Sequence, residues 1–172
     1  MQSRSLWATG LLACAACSAA LDWREVRPEG SDIVALFPCK PASHARQVSL
    51  SGVPVRTTLY ACSTGGATWA VSFADVQDPA RVAPALVALR HAAAGNVGAA
   101  TGQSLDLRVA GATPNPESGR STWDGRYPDG RAMRMQSAVF ARGTVVYQAT
   151  VLGERLDAEA LDTFYASLRF PS

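Results

Sequence analysis

Residues 37–62 have the sequence FPCKPASHARQVSLSGVPVRTTLYAC, and this stretch determines how the first half of the chain is organised. Two β-rich segments, 47–50 and 55–60, flank a Ser-Gly-Val-Pro turn, a pattern that predicts a hairpin. In an oxidising compartment we expect Cys39 and Cys62 to form a disulfide bond that fastens the preceding strand to the second hairpin strand. A closed loop of about 24 residues stabilises a domain by roughly 3 to 3.5 kcal/mol. The alternative is two buried free thiols.

The composition favours one globular domain. The chain has 172 residues, of which 48% are hydrophobic and 17% are charged, and its formal net charge is +2 at pH 7. A chain of this length buries about two thirds of its unfolded surface without a metal or further crosslinks. So small a net charge gives no electrostatic reason to expect nucleic acid or a polybasic membrane-binding patch. We therefore expect no nucleic-acid partner and one hydrophobic core.

Residues 1–20 match a short secretory signal peptide. They contain one cation, Arg4, followed by an apolar run and then by small residues. Cleavage after this segment would leave 21–172 as a single α+β domain. The alternatives are lipidation, because Cys17 and Cys14 each lie in an imperfect bacterial lipoprotein box, and an uncleaved tail. Cleavage and lipidation both predict a periplasmic domain, free or lipid-anchored to a membrane, and no later segment reaches the ~20 apolar residues of a transmembrane helix.

Further strands are predicted along the chain from alternating and β-rich segments. Residues 33–37 are apolar on both faces, which is typical of a strand in the middle of a sheet with both faces covered. In 68–75 large residues alternate with small ones, so another layer can approach the small-residue face closely. Residues 105–109 also alternate. The remaining strands are expected at 21–26, 120–127, 132–141 and 145–151.

Two amphipathic helices are predicted as well. Asp78 is placed to cap the first helix and Pro79 to occupy its first turn, where the missing N–H has no cost. Apolar residues then recur at helical spacing as far as Val97. Asp157 caps the second helix, whose buried stripe is expected to contain Leu161, Phe164, Tyr165 and Leu168. A mostly antiparallel β-sheet flanked by two amphipathic helices predicts an α+β layered sandwich.

The order of these elements resembles a group of uncharacterised exported proteobacterial proteins. The similarity lies in the Leu-Asp-Trp-Arg-Glu start, the Phe-Pro-Cys-Lys-Pro segment, the second cysteine, the Asp-Pro helix start and the closing Phe-Tyr-Ala-Ser-Leu-Arg-Phe. It covers nearly all of residues 21–170, and the layout is similar to the PsbP-like α/β/α sandwich. The resemblance implies a non-enzymatic accessory or protein-binding role in the periplasm. Its motifs are structural, so it assigns no functional residues.

Catalytic and metal-binding patterns are sparse in the sequence. His44 and His91 are far apart and form no metal-ligand motif, so we expect neither a metal nor a cofactor. Ser72, Asp75 and His91 can be assembled into a Ser-His-Asp trio on paper, but the Gly-x-Ser-x-Gly nucleophile motif is absent. The sequence therefore favours a non-enzymatic binding domain. A small periplasmic hydrolase whose site is not visible as a motif is the alternative.

One hairpin has the composition of a contact surface. It combines aromatic and guanidinium side chains, which can anchor a protein or a small anionic ligand. The residues are Arg120, Trp123, Arg126, Tyr127, Arg131 and Arg134. The alternative is a solvated hairpin in which Trp123 covers the edge of the core and the arginines pair locally with Asp124 and Asp129. We expect the protein to be a monomer.

Overall fold

The computed structural model describes residues 21–99 and 101–171, which fold around a seven-stranded antiparallel sheet. In chain order the elements are β1 (Arg24–Val26), β2 (Ala35–Phe37), β3 (Ala42–Leu50), β4 (Val53–Thr64), β5 (Ala67–Asp75), α1 (Pro79–Asn96), β6 (Gln103–Leu105), β7 (Gly119–Arg126), β8 (Ala132–Arg142), β9 (Val145–Gly153) and α2 (Ala158–Ser167). The main sheet has the order β3-β4-β5-β9-β8-β7-β6, and β1 pairs with β2 in a separate sheet. The predicted α+β class is confirmed. The predicted signal peptide and the alternative lipidation at Cys14 or Cys17 fall outside the described residues.

The two faces of the main sheet differ, as β5 illustrates. Trp69, Val71 and Phe73 point to one face, where they are buried together with α2 and β2. The smaller Ser72 and Ala74 point to the opposite face, toward α1. Strands β8 and β9 divide their side chains between the same two clusters. The predicted alternation therefore gives the sheet two different faces. The large residues form a thick core under α2, and the small residues allow α1 to approach the sheet more closely.

Helix α1 begins where its cap predicts. The side chain of Asp78 accepts a hydrogen bond of 2.9 Å from the backbone N–H of Ala80, which satisfies one of the free donors of the first turn. Val82 and Leu86 are buried against the sheet. The helix ends at Asn96, and Gly98 follows with a φ of 65°, a left-handed conformation that glycine adopts without strain.

Cys39 and Cys62 form the predicted disulfide bond, with their Cα atoms 6.0 Å apart. Cys39 follows β2, whereas Cys62 lies in β4. The bond therefore joins the two-stranded sheet to the main sheet. Beside it, the backbone N–H of Asp22 donates a 3.0 Å hydrogen bond to the carbonyl of Pro38, so the start of the described chain is held at the same junction.

The prediction that residues 33–37 lie in the middle of the main sheet is wrong. Strand β2 pairs only with β1 among the described strands, and Ile33 and Phe37 are buried against the main sheet and α2. On the other side, Val34 exchanges backbone hydrogen bonds with Arg169, and the N–H of Leu36 donates to the Ser167 hydroxyl. The segment is apolar throughout because it fills the space between the main sheet and the C-terminal segment.

The predicted strand at 105–109 is also wrong. The observed strand, β6, has only three residues and pairs with β7. The chain leaves β7 after Leu105, while Leu107 and Val109 still pack against the main core. The alternation still indicates which side chains face the core, although residues 106–109 pair with no strand of the described sheet.

Candidate functional site

The hairpin proposed as a contact surface is formed by β7 and β8. Its Trp123 is only 4% exposed and belongs to a small core with Ala93, Val97 and Met135. A Cβ atom added at Gly125 would lie 2.3 Å from the carbonyl oxygen of Val97, so glycine permits the close approach of the hairpin to the end of α1. Trp123 therefore holds the hairpin against α1.

Two arginines of this hairpin are paired with carboxylates. Arg134 donates to Asp124 over 2.7 Å, and Arg131 donates to Asp129 over 2.7 Å and also to Glu154. These hydrogen bonds lower the pKa of Asp124 and of Asp129, because each favours the charged carboxylate. The positive charge of both arginines is thus offset by adjacent carboxylates.

The other guanidinium groups of the hairpin also have partners in the protein. Arg120 lies over the ring of Tyr165, with its Cζ 3.9 Å from the ring centroid, and donates to the side-chain oxygen of Gln136. Burial raises the pKa of the Tyr165 hydroxyl, which donates to the carbonyl of Gln136 over 2.8 Å. Arg126 donates to the turn carbonyl of Gly130.

We expect Arg126→Ala combined with Arg131→Ala to leave the melting temperature almost unchanged. Both side chains are exposed, and solvent-exposed ion pairs contribute little to stability. Differential scanning calorimetry measures the change, with Arg120→Ala as a comparison that removes a half-buried guanidinium from Tyr165. Unfolding of the double variant would show that these two arginines are structural.

The Ser-His-Asp trio considered from the sequence is not assembled by hydrogen bonds in the described structure. Ser72 lies in β5 on the α1 face, and Asp75 accepts a 2.8 Å hydrogen bond from the backbone N–H of Gln77. His91 is exposed on α1. The described residues also contain no cluster of three or more potential metal ligands.

Besides an open depression of about 1110 Å³ at the hairpin, lined in part by Arg126, Tyr127 and Arg134, the described structure has a groove between α1 and the β3-β4-β5-β9 part of the sheet, which we call the α1 groove. Its volume is about 340 Å³, within the range of about 300–1,000 Å³ that is usual for ligand pockets. One wall is α1, with Leu89, Ala92 and Asn96. The groove exists because β5 has small side chains such as Ser72 on this face, and α1 fills only part of the space above them.

The floor of the α1 groove changes character from the sheet edge inward. His44 in β3 is paired with Leu59 in β4, Leu59 with Ser72 in β5, and Ser72 with Gln148 in β9. Gln148 donates to the Ser137 hydroxyl over 3.0 Å, which orients its amide. The row therefore has an imidazole at the sheet edge, an apolar side chain next to it, and hydrogen-bonding side chains at its inner end.

The entrance of the α1 groove is positively charged. No Asp or Glu occurs between Asp32 and Asp75, a segment that contains Arg46 and Arg56 as well as one lysine. Arg46 lines the groove from the exposed strand β3. Within the described ranges neither Arg46 nor Arg56 forms an ion pair. This unbalanced charge was missed in the sequence analysis, although the acid-free segment is visible there.

Comparison with known proteins identifies no family for this chain. A scan against protein-family models and a search of curated proteins both returned no match. The similarity to the PsbP-like sandwich, which rests on sequence motifs, stays a prediction. In the part of the chain that the structure describes, no helix has the length and apolar character needed to cross a membrane.

Proposed function

We propose that this protein is an exported, non-catalytic binding domain that captures a carboxylate-bearing partner in the α1 groove. The carboxylate binds at Arg46 and His44, and an adjoining apolar group contacts Leu59 and Leu89. A guanidinium group recognises a carboxylate through two parallel N–H donors, which gives both attraction and orientation. The partner is a protein or a small anionic ligand with this shared chemistry.

One observation carries the proposal: Arg46 is exposed beside a groove whose floor is apolar near the edge, at Leu59, and it has no ion-pair partner among the described residues. Arg131 and Arg134, on the hairpin that the sequence favoured, already bind carboxylates of the same chain. A carboxylate arriving at the hairpin would have to compete with them. At Arg46 it meets an uncompensated charge, so the local field attracts it more strongly.

The compartment and the finer fold type are parts of the same proposal. The predicted signal segment and the disulfide between Cys39 and Cys62 support a periplasmic domain, either free or anchored by lipidation at Cys17 or Cys14. Helices on opposite faces of an antiparallel sheet support a PsbP-like sandwich. That arrangement in turn supports an accessory role without catalysis.

Hexanoate is a suitable probe, because it combines a carboxylate with a short apolar chain. We expect it to shift the backbone amide signals of Arg46, Leu59 and Ala92 in a ¹⁵N-labelled sample. Arg46→Ala should weaken its binding about three- to tenfold, the effect of losing one exposed, charge-assisted ion pair. Measuring amide shifts against hexanoate concentration gives the dissociation constant.

Arg131→Ala is the matched control, because it removes one arginine whose charge is already offset by Asp129 and Glu154. We expect this variant to bind hexanoate like the unaltered protein. Hexanol, which lacks the charge, should bind more weakly than hexanoate. Equal binding of hexanol, or shifts confined to the hairpin from Arg120 to Arg134, would contradict the proposal.

A further inference from the structure

The outer edge of β3 is unusually long and open for a sheet edge. Among the described strands β3 pairs only with β4, over nine consecutive residue pairs without a bulge. The opposite edge of the sheet, β6, has three residues. Natural proteins usually shorten, bulge or cover sheet edges, because a free edge can pair with another chain. Residues 42–47 of β3 are exposed, and no proline interrupts the strand.

The register identifies which backbone groups of β3 point away from β4. Ser49 is paired with Pro54, which has no N–H. This pair therefore belongs to the class that exchanges no hydrogen bonds, and in an antiparallel ladder the two classes alternate. It follows that Ser43, Ala45 and Gln47 also direct their N–H and C=O groups outward.

Strand β3 itself contains one arginine, one histidine and no acidic residue. His44 and Arg46 project to the face that bears α1, whereas Arg56 of β4 projects to the other face beside Gln47. An acidic strand would meet complementary charge here. If a second copy of β3 paired at this edge instead, its His44 and Arg46 would lie against the same basic residues of the first copy, which is destabilising. The first 20 residues contain Arg4 and no acid, so they do not complement this edge either.

We propose that an extended acidic segment of a partner protein adds to the β3 edge as an antiparallel eighth strand. The proposal rests on the proposed function, because it names the carboxylate source for the α1 groove. Acidic side chains at alternate positions lie opposite His44 and Arg46, and an apolar side chain lies opposite Val48 at the groove. Backbone hydrogen bonds to Ala45 and its outward-pointing neighbours hold the segment, while the alternate side chains select it.

The probe is the peptide acetyl-Thr-Val-Thr-Glu-Thr-Glu-Thr-amide, whose order matches an antiparallel strand, labelled for fluorescence anisotropy and added to the intact protein. We expect this peptide to bind. Its affinity should fall as the salt concentration rises, and most of the affinity should be lost when both Glu are replaced by Lys. Hydrogen exchange should slow at the amides of Ser43, Ala45 and Gln47. The amides of His44 and Arg46 already face β4 and should change little.

Two N-methylated peptides test the pairing without altering the protein. In the proposed strand the inner Thr residues direct their N–H groups toward β3, whereas the Glu residues direct theirs away. N-methylation of two inner Thr amides should weaken binding at least about tenfold, since two hydrogen bonds are lost. N-methylation of the two Glu amides should leave binding within about twofold. Any other order of affinities overturns the proposal.

Hexanoate binding on the same sample separates the two proposals. If hexanoate binds at the α1 groove and the peptide does not, strand addition is wrong while the proposed function stands. If the peptide binds with the expected N-methyl pattern and hexanoate does not bind, the edge is the recognition site and the groove assignment falls. A concentration-dependent dimer that protects the β3 amides without peptide would show a second copy at the edge, and would overturn the proposal.

Discussion

Phe164→Ala is expected to lower the free energy of unfolding by about 3–5 kcal/mol, the usual range for this substitution in a core. Phe164 has no solvent exposure. Its ring centroid lies 5.7 Å from that of Phe37, 5.4 Å from Trp69 and 5.2 Å from Tyr165. The substitution therefore opens a cavity where α2, β2 and the main sheet meet, and it removes three edge-to-face aromatic contacts. Urea unfolding followed by tryptophan fluorescence measures the loss.

Two variants of the same helix serve as controls. Phe164→Leu keeps most of the volume, so we expect a loss of about 1–1.5 kcal/mol. Thr163→Ala removes a side chain whose hydroxyl donates to the carbonyl of Glu159 and which lies outside the core, and we expect a change within about 0.5 kcal/mol. A loss below about 1 kcal/mol for Phe164→Ala would show that the surrounding layers collapse into the space, so that α2 does not determine their spacing.

Local patterns in the sequence predicted the helices and most strands because the responsible contacts lie within a few residues. Asp78 and Asp157 cap α1 and α2 through hydrogen bonds to amides two and three residues onward. The turn between β3 and β4 is formed by Ser51 and Gly52, which both have positive φ, as expected for a tight two-residue hairpin turn. Each of these features is encoded where it occurs.

Features that depend on packing between distant segments were not predictable in the same way. The apolar run that contains Ile33 is buried whether it lies inside a sheet or across one, so its sequence could not choose between the two positions. The position of the run is determined by the backbone pairing of Val34 with Arg169, near the other end of the chain. Sequence patterns give no register between segments so far apart.

The candidate site shows the same division. Trp123 and its neighbouring arginines suggested a contact surface because their composition is local, and Asp124 and Asp129 were visible as local partners. Glu154, which also binds Arg131, comes from the loop after β9. The α1 groove depends on where α1 crosses the sheet, which no local pattern specifies. The positive charge of the groove, however, was predictable from the sequence, because Arg46 lies in a segment without Asp or Glu.

Replacing Cys39 and Cys62 together by Ser is expected to lower the free energy of unfolding by about 2–5 kcal/mol. The bond closes a loop that spans β3 and most of β4, and the unfolded chain gains conformational freedom when that loop opens. It also joins the two-stranded sheet to the main sheet. Urea unfolding of the oxidised protein and of the double variant, at the same pH, measures the difference.

Reduction separates the effect of the crosslink from that of the side chains. Dithiothreitol should destabilise the unaltered protein toward the stability of the double variant, and it should leave the double variant unchanged. If the sulfur atoms stabilised mainly by packing, the reduced protein would remain as stable as the oxidised one, and the crosslink would contribute little. Mass mapping without reductant, on protein recovered from the proposed periplasmic location, should find Cys39 and Cys62 in one linked peptide pair. Recovery of both as free thiols would contradict the bond and, with it, an oxidising location for the domain.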